Sequence, residues 1–117
     1  MKITIQEALA RLPAAATAHY PEGAPSLTML AHGSMLLKVF TPSTNRGGID
    51  RQLPHDQDEL YLVHRGNATM VIGAQSFPAA PGDAFFVPAG AQHRFDDVSS
   101  DFVTWVVFYG PQGGETA

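Results

Sequence analysis

With 117 residues, the chain has room for one domain and one core, since a domain of this size buries roughly two-thirds of the surface its unfolded chain would expose. Seven Lys and Arg against eleven Asp and Glu give a formal charge of −4 with no basic run, which argues against nucleic acid or an anionic membrane as a partner. Cysteine is absent, so disulfides, thiolate metal sites and cysteine nucleophiles are excluded, and any metal must be held by imidazole, carboxylate or amide.

The N-terminal residues Met1-Lys2-Ile3-Thr4-Ile5-Gln6-Glu7 lack the continuous apolar core of a secretory signal, and no segment approaches 18 uninterrupted apolar residues, so a cytoplasmic protein is the expectation. Residues 4–12 predict one short helix: Thr4 and Glu7 have capping-box spacing, Ile5, Ala8, Leu9 and Leu12 recur at helical spacing, and Pro13 stops the run. About two turns cannot stand alone in water, so the apolar stripe should dock on the outside of a sheet. Ala, Pro and Gly dominate from Pro13 to Pro25 and predict an irregular connection.

From Leu27 onward the pattern is that of strands. The runs Leu27–Ala31 and Met35–Phe40 flank His32-Gly33-Ser34 as a hairpin; Leu60–Val63 and Ala68–Ile72 flank Arg65-Gly66-Asn67; Gly73-Ala74 marks a third turn. Asp83–Val87, Gln92–Phe95 and Phe102–Tyr109 complete the set. Short strands at close spacing, with no helical period after Leu12, predict an all-β antiparallel sandwich or barrel within a single 1–117 domain. The tail 111–117 is expected to be mobile. Thr44–Pro54 is the longest polar loop of the β region. The run Phe102–Tyr109 is apolar on both faces, so its second face needs a cover; a short helix covers only part of a sheet, and a homodimer is the economical expectation.

The chemistry concentrates in two segments. In the first, His55-Asp56-Gln57-Asp58-Glu59 runs into an apolar strand ending at Gly66; the second is Gly82 through Pro88-Ala89-Gly90 to His93. Side chains alternate along a strand, so Glu59, Tyr61 and Val63 share one face while Leu60, Leu62 and His64 share the other. An ionised carboxylate inside a barrel needs a metal or a cationic partner, for which Arg51 and Arg94 are candidates. Two imidazoles and a carboxylate suit one divalent transition metal, iron(II), manganese, nickel, copper or zinc, with coordination positions left open. His55, Glu59 and His93 are therefore the expected metal ligands. Gln57, one strand period beyond His55, offers an amide oxygen as a further donor, and Tyr61 shares the face of Glu59 as a candidate catalytic hydroxyl that binds substrate or donates a proton. His19, His32 and His64 read as surface or satisfied residues.

These two segments resemble the paired motifs of the cupin superfamily, G-x5-H-x-H-x3,4-E-x6-G and G-x5-P-x-G-x2-H-x3-N, over about residues 26–110. His55-x3-Glu59-x6-Gly66 matches the second half of the first, and Gly82-x5-Pro88-x-Gly90-x2-His93 matches the second up to its last position. The resemblance implies a jelly-roll barrel, a double-stranded β-helix, with a metal near its centre. Only His55, Glu59 and His93 carry over as ligands, because Leu53 stands at the first histidine and Asp97 at the closing asparagine. The H-x-Q-D-E run and the Phe-Tyr-Gly-Pro-x-Gly-Gly terminus are similar to those of small single-domain bacterial cupins. Three functions remain open at this point: a metal-dependent enzyme on a small molecule, with dioxygenase-like chemistry favoured over isomerase, decarboxylase, lyase or hydrolase; a non-catalytic small-molecule or metal-binding module; and a structural dimer with a vestigial pocket.

Overall fold

The structure, a computed structural model, describes residues 1–116. One helix, α1 (Ile5–Arg11), precedes eight strands: β1 (Ser26–His32), β2 (Met35–Phe40), β3 (Asp58–Arg65), β4 (Ala68–Ile72), β5 (Gln75–Ala79), β6 (Ala84–Val87), β7 (His93–Asp96) and β8 (Val103–Tyr109). They form two antiparallel sheets, ordered β1-β2-β8-β3-β6 and β5-β4-β7, which pack as a jelly-roll. The inward side chains of both sheets, among them Phe40, Tyr61, Met70, Val87, Phe95 and Phe108, make the main core. Phe95 is its hub, with ring centroids 5.2 Å from Tyr61 and 4.9 Å from Phe102.

Thr4 caps α1 by accepting from the Glu7 amide at 3.2 Å, as the capping-box spacing predicts. The helix lays Ile5 and Ala8 against Val39 and Val103, with Leu9, Leu12, Met29 and Trp105 around them, on the outer face of the five-stranded sheet. That accounts for part of the double-sided apolarity of β8: Val106 and Phe108 face the barrel core while Val103 and Trp105 face α1. Among the described residues, no helix is long and apolar enough to cross a membrane.

Two elements differ from the sequence expectations. β5 lies outside the predicted strands because four of its five residues are exposed and Pro78 cannot donate to a ladder; it occurs at a sheet edge, where proline is tolerated. Residues of the 111–117 tail, expected to be mobile, are tied back: the Gly113 amide donates to the Asp56 carbonyl at 2.6 Å and the Glu115 amide to Asp58 Oδ2 at 2.9 Å. Ala117 lies outside the described residues. Between β2 and β3 the long polar loop contains two short 3-10 turns, Pro42–Thr44 and Arg46–Gly48.

The β3–β4 turn explains the motif glycine at its centre. Gly66 has φ of 83°, and a Cβ placed there would lie 2.6 Å from the Phe102 Cα. Gly66→Ala should therefore combine left-handed strain with a backbone clash and lower stability by about 2 kcal/mol or more. Gly73→Ala, also at positive φ but with no atom within 4 Å of the added methyl, should cost only the strain, about 1–2 kcal/mol. Urea unfolding of the two variants checks the order; equal losses would contradict it.

Candidate metal centre

Strand β3 is read correctly by simple alternation: Glu59, Tyr61 and Val63 are buried inward, whereas Leu62 and His64 are exposed. Glu59 is 1% exposed in the barrel interior. His93, the first residue of β7, reaches it from the opposite sheet, with Nε2 3.0 Å from Glu59 Oε1. His55 arrives from the loop before β3, with Nδ1 2.9 Å from the same oxygen. Its backbone is held in place by the Pro88-Ala89-Gly90 turn, where the Gly90 amide donates to the His55 carbonyl at 2.7 Å. The ligand atoms of His55, Glu59 and His93 all lie within 4.8 Å of one another.

The hydrogens available at this cluster are fewer than its acceptors. His93 Nδ1 is 2.9 Å from the Ala91 carbonyl, which can only accept, so Nδ1 carries the hydrogen and a neutral ring presents a lone pair at Nε2. That lone pair faces Glu59 Oε1, the Gln52 Oε1 at 3.1 Å and the Tyr61 hydroxyl at 3.0 Å. Tyr61 already gives its proton to Gln52 Oε1 at 2.8 Å. Acceptors therefore converge with too few hydrogens, and the second Glu59 oxygen, Oε2, is buried with no hydrogen-bond partner among the described residues. A divalent metal or an added proton resolves this. The donor set fits a divalent metal: His55, Glu59 and His93 bring two imidazole nitrogens and a carboxylate oxygen within 4.8 Å of one another, and these are the residues that would hold it.

Electrostatics follow from the same contacts. Burial pushes the Glu59 carboxyl up, but its contacts with His55 and His93, as donors and charges when those rings are protonated, outweigh it and hold Glu59 below its usual range. For His93, burial works against the charged form, yet the bonds to Glu59 and the Ala91 carbonyl, with the charges of Glu59 and Asp50, leave its pKa raised. Tyr61 is held well above its ordinary value, first by burial and then by the Glu59 and Asp50 carboxylates, so its hydroxyl stays protonated. Burial also raises Asp50, partly offset by its bonds from the Phe95 amide and from Gln52.

The cluster thus brings together His55, Glu59, His93 and Tyr61. Gln57 is elsewhere: its amide nitrogen donates to the Ser34 and Gly110 carbonyls, each at 2.9 Å, and among the described residues it shares no hydrogen bond with the three candidate ligands. The glutamine at the cluster is Gln52, which spacing alone does not single out; its one signal in the sequence is adjacency to Leu53, the place of the missing histidine. The arginines considered for Glu59 are engaged elsewhere, Arg51 with Glu22 and Arg94 with Asp96. His32 and His64 are exposed, and His19 bonds the Arg51 carbonyl through Nε2. A cavity of about 360 Å³ opens beside the cluster, lined by Tyr20, Lys38, Gln52, His55, Tyr61 and Phe108 with other residues. His55, with 35% of its side chain exposed, stands between cavity and buried carboxylate.

Removing either buried ligand should strip the site. His93→Ala and Glu59→Ala are expected to lower bound metal per chain to background after anaerobic loading and desalting, while His64→Ala retains the parent value by elemental mass spectrometry. Metal lost in His64→Ala and kept in Glu59→Ala would reverse the assignment of the faces of β3.

Sequence and structure comparisons agree with this architecture. The family model for the cupin domain (Cupin_2) matches residues 41–109. An uncharacterized protein of Streptomyces coelicolor is 41% identical over 76 residues, 65% of this chain and 72% of that protein. KdgF from Halomonas sp. is 18% identical, with a TM-score of 0.61 over 74% of this chain and 80% of its own, a likeness of fold. A chain from a structure of the DMSP lyases RdDddP and RnDddQII is 28% identical over 69% of this chain but 41% of its own, with a TM-score of 0.55. With the cupin-domain match covering more than half of its length and both motif segments meeting in the barrel, this chain belongs to the cupin superfamily.

Proposed function

We propose that this cupin is a metal-dependent enzyme acting on a small molecule, with His55, Glu59 and His93 holding one divalent transition metal per chain within a single 1–117 domain. The observation that carries the proposal is the convergence of buried acceptors, including the unpartnered Glu59 Oε2, directly beside a cavity of about 360 Å³. Pockets that take small molecules are of this kind: largely apolar walls with a few convergent polar groups. Iron(II), manganese, nickel, copper or zinc suits two imidazoles and a carboxylate; such a metal supplies Lewis acidity or, as iron(II), reactivity toward dioxygen. Dioxygenase-like chemistry is favoured by that donor composition, and the 28% identity to a DMSP lyase chain keeps elimination reactions in view.

The chain's own residues have defined parts in this reading. His55 faces both ligand site and cavity, and Phe108 packs against it in a T-shaped arrangement with ring centroids 4.8 Å apart. The Tyr61 hydroxyl, protonated and donating to Gln52 Oε1 at 2.8 Å, would turn from that oxygen to a substrate oxygen and donate a hydrogen bond there. Lys38 lines the cavity and supplies a positive charge at its wall. Metal-loaded protein screened against a metabolite library, by oxygen consumption and product analysis, is expected to turn over a substrate. Tyr61→Phe should keep the metal and slow turnover about 10²–10⁴-fold, whereas His93→Ala should lose both. Equal turnover in Tyr61→Phe would remove Tyr61 from the chemistry.

A second reading, a non-catalytic binding module, is favoured by one observation: a protonated His93 also closes the cluster, as an imidazolium beside the Glu59 carboxylate, without metal. Metabolite binding by metal-free protein at the same affinity as the loaded form would support it.

The proposal includes a homodimer. Leu37, Val107 and Leu60, with Phe86 at 52% exposure, pair across β2, β8, β3 and β6 as an apolar row on the outer face beyond the cover of α1. Light scattering should give twice the 12.5 kDa chain mass, and Phe86→Asp should return the monomer. A monomeric parent protein would contradict this.

A further inference from the structure

The place of the missing first histidine is filled from the neighbouring residue. Leu53 is 63% exposed and carries no donor atom, but the side chain of Gln52 turns inward and brings Oε1 to 2.8 Å from the Tyr61 hydroxyl and 3.1 Å from His93 Nε2. The two ends of a glutamine amide are told apart by their partners. Here the partner is decisive: Gln52 Nε2 donates to Asp50 Oδ2 at 2.7 Å, and an ionised carboxylate can only accept, so the opposite end, aimed at the cluster, is the oxygen.

Asp50 is itself locked. It is 7% exposed and accepts from the Gln52 amide at 3.0 Å and from the Phe95 amide at 2.8 Å, in addition to the Gln52 side chain. Phe95 lies two residues beyond His93 on β7, so Asp50 fastens the ligand-bearing loop to the strand that carries the other imidazole. A buried carboxylate tied to three N–H groups has little rotational freedom, and it transmits that fixity to the Gln52 amide.

We propose that Gln52 is a fourth, oxygen donor to the metal through Oε1, and that Asp50 is the positioning residue that sets the direction of its amide. The inference rests on the metal-site reading above and deepens it. Replacing a third imidazole by a neutral oxygen changes the donor balance to two nitrogens and two oxygens. Such a set moves relative preference toward the harder ions manganese and iron(II), and away from zinc and copper, compared with a site of three imidazoles and one carboxylate.

The test uses full-length parent protein, Gln52→Leu, Asp50→Asn and His93→Ala, with Mn(II) and Zn(II) as probes in chelator competition and the visible absorption of Co(II) as a report on the ligand set. Gln52→Leu keeps a similar side-chain volume and leaves Asp50 its two backbone donors, so it serves if Asp50→Asn fails to fold. Folding is checked by circular dichroism. Gln52→Leu is expected to weaken metal binding about 10–100-fold and alter the Co(II) spectrum; folded Asp50→Asn should show the same changes, because an amide at residue 50 no longer dictates which end of Gln52 faces the cluster. Parent-like affinity and spectrum in Gln52→Leu, with metal lost in His93→Ala, would overturn the role of Gln52 while leaving the three-ligand site standing. Changes in Gln52→Leu but not in folded Asp50→Asn would overturn the positioning role. A parent protein that binds no metal under any loading condition would overturn the site itself and this inference with it.

Discussion

Burial of the Glu59 carboxylate between two imidazoles is the constraint around which the rest of this molecule is arranged. An ionised group at 1% exposure costs several kcal/mol, on the order of the desolvation penalty of any buried ion, unless opposite charge or hydrogen bonds meet it. Glu59 receives two ring nitrogens on one oxygen and none on the other. Such a half-answered carboxylate would be a liability in a domain whose only task was to fold. It becomes explicable when a cation completes the site, which is why the carboxylate carries more of the functional argument than either histidine alone.

The barrel meets this constraint by fixing three unlike segments. Strand β3 brings Glu59 and Tyr61 by alternation, β7 brings His93 from the opposite sheet, and the loop before β3 brings His55 and Gln52. A loop is the least rigid of the three, and two buried aspartates compensate. Asp58 accepts from the Ala89 amide and the Glu115 amide, tying the start of β3 to the Pro88-Ala89-Gly90 turn and to the C-terminal segment. Asp50 ties the other end of the loop to β7. Each carboxylate is hydrogen-bonded by backbone amides, the arrangement that lets a charged group be buried and a loop be held to strand-like precision.

Much of this is legible in the residues themselves, and the illegible parts share a cause. Alternation through Glu59, Tyr61 and Val63 assigns the inner face of β3 because a strand has a fixed two-residue period; the paired motif segments place His55 and His93 on the same centre. The capped helix is legible from Thr4, Glu7 and its apolar stripe. Between Arg46 and Gln57, however, the backbone has no period, so spacing cannot say which glutamine points inward. Gln57, in register with His55 on paper, bonds two carbonyls instead, while Gln52 enters because Asp50 holds it. Likewise β5 is hidden by its exposure and by Pro78, and the tying of residues 113–115 depends on Asp56 and Asp58, far away in sequence. Regular elements announce themselves locally; contacts made by irregular backbone become visible only in three dimensions.

The most direct measurement is an anomalous difference map from crystals of the parent protein loaded with cobalt(II) or manganese(II), collected at the absorption edge of the ion. The expected result is one strong peak per chain inside the barrel, within bonding distance of His55, Glu59 and His93. A map with no peak there, in crystals loaded at saturating metal, and with His93 bonded directly to Glu59, would contradict the assignment of this cluster as a metal centre.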